Sequence, residues 1–170
     1  MTWIQAKQKR HISHGFTIVE LLIVIVIIAI LAAITIIAYN NAQDRARFSQ
    51  AQTDLESIQK ALGLYKAEND RYPSTINQSG CTNNWCGWDQ ATGDNFIIGL
   101  SPTYIPRIPQ MPSSQAANNT YLYQSNGTDY QLIRYNGAGT NEVERSSSLR
   151  ATGQQYDDVA WGYKTNPTMA

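Results

Sequence analysis

The chain has 170 residues, enough for one domain with a modest core and an anchoring segment. Only 15% of the residues are charged, with 13 basic and 13 acidic side chains, so the net charge is zero. Nucleic-acid-binding domains usually carry a basic excess, and this balance argues against that class of protein.

A basic segment of 15 residues precedes a long apolar run. Lys7, Lys9 and Arg10 indicate that this end stays on the cytoplasmic side of a membrane. The run Leu21–Ala38 has 18 residues, and Thr35 is its only polar one. With the residues just before it, the run is long enough to cross a hydrocarbon layer of about 30 Å as a helix.

A cleaved secretory signal peptide and an ordinary signal anchor are the two alternative interpretations of this run. A signal peptide fits poorly, because no A-x-A pattern follows the run and its length exceeds that of a usual signal-peptide core. Glu20, at the start of the run, argues against both alternatives.

Helical periodicity continues beyond the apolar run. No proline occurs between Phe16 and Pro73, so the sequence predicts a nearly continuous helix over Phe16–Lys66. Gly63, inside this helix, is predicted to permit close packing. Apolar side chains at spacings of three and four residues predict a single buried stripe, hereafter the stripe, formed by Phe48, Ala51, Leu55, Ile58, Leu62 and Tyr65.

After Pro73 the chain becomes rich in Gly, Asn, Ser and Thr with short apolar pieces. Thr120–Gln124 and Tyr130–Tyr135 flank the turn sequence Ser-Asn-Gly-Thr-Asp and predict a β-hairpin. Asp158–Tyr163 is predicted as a third strand. The fold class is therefore α+β: a long N-terminal helix, with an anchor half and an amphipathic half, packed against a small antiparallel sheet head.

Cys81 and Cys86 are the two cysteines of the chain and lie in the segment CTNNWC. Thiols this close can form a small loop in an oxidising compartment. A metal site built on them would lack ligands, because His11 and His14 both precede the apolar run. A disulfide is therefore predicted, with two free thiols as the alternative if the domain stays reduced.

Residues 15–20 read Gly-Phe-Thr-Ile-Val-Glu and continue directly into Leu21. This resembles the type IV prepilin signature, a processing glycine followed by a mature chain that opens with Phe and holds Glu at its fifth position. The resemblance implies that a membrane-bound prepilin peptidase cuts after Gly15 and that the new amine of Phe16 is methylated. Glycine suits this place because the absence of a side chain lets the backbone enter a narrow protease site.

Glu20 needs an explanation, because a carboxylate in a membrane segment is costly unless it has a partner or a purpose. The interpretation we favour is that Glu20 pairs with the Phe16 amine of a neighbouring subunit and guides it into register. The alternative is that Glu20 only favours the helix N-terminus and stays near the lipid headgroups.

The resemblance also implies a domain organisation. Residues 1–15 are a leader, 16–38 a transmembrane and filament-core helix half, 39–72 an amphipathic helix half, and 73–170 the globular pilin head. The precursor is expected in the cytoplasmic membrane as a single-pass protein. After assembly it becomes part of an extracellular or cell-surface filament, a homo-oligomer built through the N-terminal helix by the pilus or secretion machinery.

The C-terminal half is similar to the major pseudopilin of type II secretion and to related pilins. Two departures from that family concern metal binding: Met111 stands where the family usually has Asp, and Tyr135–Gly139 does not reproduce its Asp-containing calcium loop. Two others concern the helix, since Ile37 and Ala29 replace a proline and a glycine found in many members, so no melted segment is predicted. The similarity is carried by Tyr72-Pro73, Tyr104-Ile105, Ile108-Pro109, Met111-Pro112, Tyr121 and Tyr123.

We predict no cofactor. Calcium bound at Glu142, Asp157 or Asp158 is kept as an alternative to a solvated acidic rim. Removal of the leader would leave a chain without histidine, which excludes Ser-His and Cys-His dyads and His-ligated zinc, and the protein is predicted not to be an enzyme.

The predicted function is that of a type IV pilin, a structural subunit of a surface filament serving motility, adhesion or DNA uptake. The alternatives are the major pseudopilin of a type II secretion system and a minor tip pilin that acts as an adhesin. Trp85, Trp88 and Trp161 bear on the last alternative, because they either contact an external ligand or fill a small core, and the second role is favoured.

Overall fold

A computed structural model describes residues 16–88, 96–111, 119–137 and 159–166. Within these ranges the chain forms one long helix and three strands, which confirms the predicted α+β fold. The chain divides into two compact units, Met1–Asn41 and Ala42–Ala170. The elements, in chain order, are α1 (Ile18–Asn69), β1 (Asn119–Ser125), β2 (Tyr130–Asn136) and β3 (Ala160–Lys164).

Helix α1 is unbroken over 52 residues and ends three residues later than predicted. The end is defined by Asp70, whose φ of 57° is left-handed. The side-chain amide of Asn69 donates a hydrogen bond to the carbonyl oxygen of Tyr65 (2.9 Å) and so satisfies one of the carbonyl groups that the last turn leaves free. Pro73 follows, where the helix could not have continued.

The stripe is buried as predicted. Ala51, Leu55, Ile58 and Leu62 are almost fully buried in the main core, and Phe48 and Tyr65 pack against its edges. Strand β3 contributes to the same core, since the rings of Phe48 and Trp161 lie 4.7 Å apart between centroids. The amphipathic half of α1 thus finds its partner within its own unit.

The sheet has the order β1-β2-β3, and both strand pairs are antiparallel. The predicted hairpin joins β1 and β2: the side-chain oxygen of Asn126 accepts hydrogen bonds from the N–H groups of Thr128 (2.9 Å) and Asp129 (2.8 Å), and Gly127 has a φ of 92°. Each predicted strand is present with bounds shifted by one or two residues; β3 begins at Ala160 rather than at 158.

Both faces of the sheet are buried, whereas the sequence predicted burial of one face against the stripe. The second face carries a smaller cluster formed by Trp85, Leu122, Ile133 and Ala160. Trp85 and Trp161 therefore fill cores, as favoured from the sequence, while Trp88 is 36% exposed and packs its ring against Tyr135 at 4.9 Å.

The close packing predicted at Gly63 is not seen among the described residues. Apart from its chain neighbours and the backbone of its own helix, no described atom lies within 4 Å of the position that a Cβ at Gly63 would take. Gly63 lies on the exposed side of α1, away from the stripe, and the helix needs no glycine there within this unit.

Candidate assembly site

The first half of α1 is apolar on all sides and uncovered. All the large apolar side chains described between Phe16 and Ile36 are exposed, from 47% for Val24 to 80% for Phe16 and Ile18. By length and composition α1 can cross a membrane, and no part of its most apolar 18-residue window is buried. A surface of this kind is stable only in lipid or against other apolar surfaces.

Glu20 and Thr17 form a reciprocal hydrogen-bonded pair at the start of α1. The N–H and the hydroxyl of Thr17 both donate to Glu20 Oε2, at 2.9 Å and 2.7 Å. In return the N–H of Glu20 donates to Thr17 Oγ1 at 3.2 Å. This is a capping box, and it satisfies two of the N–H groups that the first turn of a helix leaves free.

The capping box determines which carboxylate oxygen of Glu20 can accept a further hydrogen bond. Thr17 contacts only Oε2, so Oε1 is left to accept a hydrogen bond from a further group. Phe16 immediately precedes Thr17 and is 80% exposed, so the residue predicted to carry the new amine lies just before α1, four residues ahead of the predicted carboxylate. Gly15, the predicted cleavage residue, lies outside the described residues.

The sequence analysis did not identify Thr17 as a site residue. The signal was present, because Thr followed three residues later by Glu, directly before an apolar run, is the capping-box pattern. Glu20 had been explained by its charge alone, and its hydrogen-bonding partner along the chain was not considered.

The polar residue within the apolar run is satisfied inside the helix. The hydroxyl of Thr35 donates to the carbonyl oxygen of Leu31 at 2.7 Å. The helix is also continuous through Ala29 and Ile37, in keeping with the absence of glycine and proline there. This half of α1 therefore places no unpaired hydroxyl donor in an apolar environment.

The head has the predicted disulfide. Cys81 and Cys86 are bonded, with 4.3 Å between their Cα atoms. Among the described ranges there is no group of three or more His, Cys, Asp or Glu side chains that could hold a metal ion. The candidate calcium ligands Glu142, Asp157 and Asp158 lie outside those ranges, so calcium binding stays untested.

Two family models match the chain. Residues 10–36 match the prokaryotic N-terminal methylation motif, and residues 38–148 match protein G of the type II secretion system, which covers more than half of the chain. The chain belongs to the type II secretion system protein G family. The predicted resemblance to pilins and pseudopilins is thereby confirmed.

Similarity to some members of this family extends over most of the chain. Type II secretion system core protein G of Klebsiella michiganensis is 36% identical over 159 residues, which is 90% of this chain and 96% of that protein. The Escherichia coli protein of the same name is 36% identical over 155 residues, 88% of this chain and 92% of that protein.

A type IV pilin matches a shorter part of the chain. The type IV major pilin protein PilA of Myxococcus xanthus is 41% identical over 68 residues, which is 40% of this chain and 31% of that pilin. No solved structure matches the chain.

Proposed function

We propose that the protein is a structural subunit of a filament of the pseudopilin type, assembled by helix packing through residues 16–38. The observation that carries this proposal is the contrast within α1: the stripe is buried by its own head, whereas the large apolar side chains between Phe16 and Ile36 are exposed. Lipid covers that surface in the precursor, and neighbouring copies cover it in the filament.

The route to the filament begins with processing. Prepilin peptidase cuts after Gly15 and methylates the Phe16 amine, which removes the basic leader of residues 1–15. Residues 16–38 then hold the subunit in the cytoplasmic membrane. The helix continues as its amphipathic half to Asn69, and residues 73–170 form the exported head. The role is structural rather than catalytic.

Glu20 sets the axial position of an incoming subunit relative to its neighbour. Thr17 holds one carboxylate oxygen and leaves Oε1 for the positively charged Phe16 amine of a neighbouring subunit. A charge pair formed in an apolar filament core is less screened than one in water, so it favours one axial position of the incoming helix over others. Apolar packing attracts the helices to each other, and the charge pair determines their relative axial position.

A Glu20→Gln substitution tests the proposal because it removes the charge with little change in shape. We expect membrane insertion and cleavage to persist while filament yield, counted by electron microscopy, falls by about tenfold or more. Glu68→Gln is the matched control, since Glu68 lies in the same helix beyond the apolar half and accepts a hydrogen bond from Tyr104 that glutamine can also accept. Filaments of normal number and length from Glu20→Gln would remove Glu20 from the mechanism.

Two further variants sharpen this test. Thr17→Val keeps the shape of Thr17 but loses the hydroxyl that bonds Glu20, and its filament yield should fall between those of the wild type and Glu20→Gln. Thr17→Ser retains the hydroxyl and should assemble normally. Equal yields from both variants would show that the Thr17 hydroxyl has no part in assembly.

The machine that this filament serves is proposed to be a type II secretion system, because the similarity to protein G extends over the head as well as the helix. A type IV pilus serving motility, adhesion or DNA uptake is the second candidate, favoured by the match to PilA. A tip adhesin has less support, since Trp85 and Trp161 are buried.

Deletion of the gene separates the two main candidates. For the secretion role, exported enzymes should accumulate inside the cell envelope while surface filaments and twitching are unchanged. Loss of surface filaments with normal protein secretion would favour the pilus instead.

A further inference from the structure

The outer edge of β1 is the side of the strand that faces away from β2. In an antiparallel sheet, the backbone groups of alternate residues point to opposite sides of the strand. β2 lies on one side of β1, and Tyr121, Tyr123 and Ser125 direct their N–H and C=O groups to the other. An open edge of this kind is a template for pairing with another chain.

Two separate pieces of chain cover this edge. The N–H of Thr75 donates to the carbonyl oxygen of Ser125 (3.0 Å), and the N–H of Ser125 donates to Thr75 Oγ1 (3.0 Å). Further along, Cys86 and Tyr123 exchange both backbone hydrogen bonds, at 2.9 Å and 3.0 Å. Residues 75 and 86 together stand in for a fourth strand that is split in two.

The second piece belongs to a small hairpin closed by the disulfide. Thr82 and Trp85 exchange backbone hydrogen bonds of 2.9 Å each around Asn83 and Asn84, whose φ values of 51° and 62° fit a type I′ turn. The Cys81–Cys86 bond joins the two ends of this hairpin. A two-residue hairpin is marginal in water without such support.

Gly87 continues the contact with β1. Its carbonyl oxygen accepts a hydrogen bond from Thr120 Oγ1 at 2.6 Å. Its φ is 108°, and a Cβ at this position would overlap the carbonyl oxygen of Tyr121. The chain after the bridge therefore lies directly against the edge of β1, where a side chain would push it away.

We propose that the Cys81–Cys86 bond is a redox-controlled latch on the edge of β1. When the bond is closed, Cys86 and Gly87 are held against Tyr121 and Tyr123, and neighbouring heads find no strand to pair with. Reduction by a dithiol transfers two electrons to the bond, yields two protein thiols and leaves the dithiol as a disulfide. The hairpin then loses its constraint, residues 86 and 87 detach, and the part of the edge at Tyr121 and Tyr123 becomes accessible, while Thr75 still covers Ser125.

Residue-resolved amide hydrogen exchange on the full mature chain in detergent micelles tests this latch, with and without dithiothreitol. The amides of Cys86 and Tyr123 should exchange faster on reduction by about tenfold or more, since closure of the loop no longer opposes opening. The amide of Leu122 should stay protected, because alternation turns it toward β2. Intact mass confirms that both thiols have formed.

Two outcomes would overturn the latch. Unchanged exchange at Tyr123 in fully reduced protein would show that the bridge does not hold the edge. Joint loss of protection at Tyr123, Leu122 and Ile133 would show that the bridge supports the whole sheet instead. The double variant Cys81→Ser/Cys86→Ala should reproduce the reduced pattern without a reductant, which separates the loss of the bond from other effects of dithiothreitol.

Discussion

Helix α1 has the same backbone hydrogen bonding before and after Asn41, but its side chains have opposite surroundings in the two parts. In the second part a single stripe is buried by the head of the same chain, and the remaining faces are polar. In the first part apolar side chains cover every face and stay exposed. A narrow apolar stripe indicates a partner within the chain, whereas an all-round apolar helix needs lipid or other subunits.

The largest difference between the two parts is expected from leucine truncation. Leu62→Ala leaves a cavity in the main core and should lower the free energy of unfolding of the head by about 2–5 kcal/mol. Leu31→Ala, in the exposed half, should leave head stability unchanged and weaken filaments instead. Denaturant melts followed by tryptophan fluorescence measure the first effect, because Trp85 and Trp161 are buried.

The same two variants can also show that the two parts of α1 do not differ in this way. If Leu31→Ala lowered the unfolding free energy of the head as much as Leu62→Ala, the apolar half would have a partner within its own chain. The proposal that it waits for other molecules would then fail.

Alkaline pH should affect the head through its buried tyrosines. Burial raises the pKa of Tyr121, and the hydrogen bond that its hydroxyl donates to Asp54 (2.7 Å) raises it further; burial also raises the pKa values of Tyr123 and Tyr130. Tyrosine in the unfolded chain titrates near pH 10. The free energy of unfolding that the neutral, buried tyrosines contribute is therefore fully present below about pH 10 and is lost as the pH rises toward the folded pKa values.

Above about pH 10, each buried tyrosine should lower the free energy of unfolding of the head by about 1.4 kcal/mol per pH unit. Urea midpoints measured from pH 7 to 11 should stay level and then fall, and Tyr121→Phe should make the fall less steep. An equal slope in Tyr121→Phe would mean that Tyr121 ionises as freely in the folded head as in the unfolded chain. The apolar half has no tyrosine before Tyr39 and should not contribute to this fall in head stability.

The smallest effect has the opposite sign. Gly63→Ala adds a methyl group that no described atom approaches within 4 Å, apart from its chain neighbours and its own helix backbone. Alanine also favours the helix, so stability should rise by about 0.5–1 kcal/mol. Gly162→Ala is the contrasting variant, because its Cβ would overlap the carbonyl oxygen of Leu132 and should destabilise the sheet. Thermal melts give the sign of the stability change for both variants. A destabilised head in Gly63→Ala would reveal a contact at this face of α1.

The features predicted correctly from the sequence are those with a local signature. Periodicity identified the stripe, the Asn126-Gly127 turn identified the hairpin, and the spacing of Cys81 and Cys86 indicated their bond. What was missed depends on pairing between distant parts of the chain. Nothing near Cys86 indicates that it pairs with Tyr123, so the covered edge of β1 and the second core beneath Trp85 were not anticipated.

Two other differences have local causes. Gly63 was read as a packing residue because glycine is costly in a helix, but helical position puts it on the side away from the head. Thr17 was overlooked because Glu20 offered an explanation by charge alone. At the candidate assembly site, the sequence analysis singled out Glu20, whose role stays a prediction, and missed Thr17, which bonds it.

The contact between Phe48 and Trp161 has a consequence for the timing of export. These residues lie near opposite ends of the second compact unit, Ala42–Ala170, yet their rings pack together in the main core. In the proposed membrane orientation, Phe48 leaves the membrane early, and its partner arrives only after nearly all of the head has crossed. The Phe48–Trp161 contact cannot form during that interval, so the main core stays incomplete. In the proposed orientation, therefore, only a chain exported through β3 can complete that core.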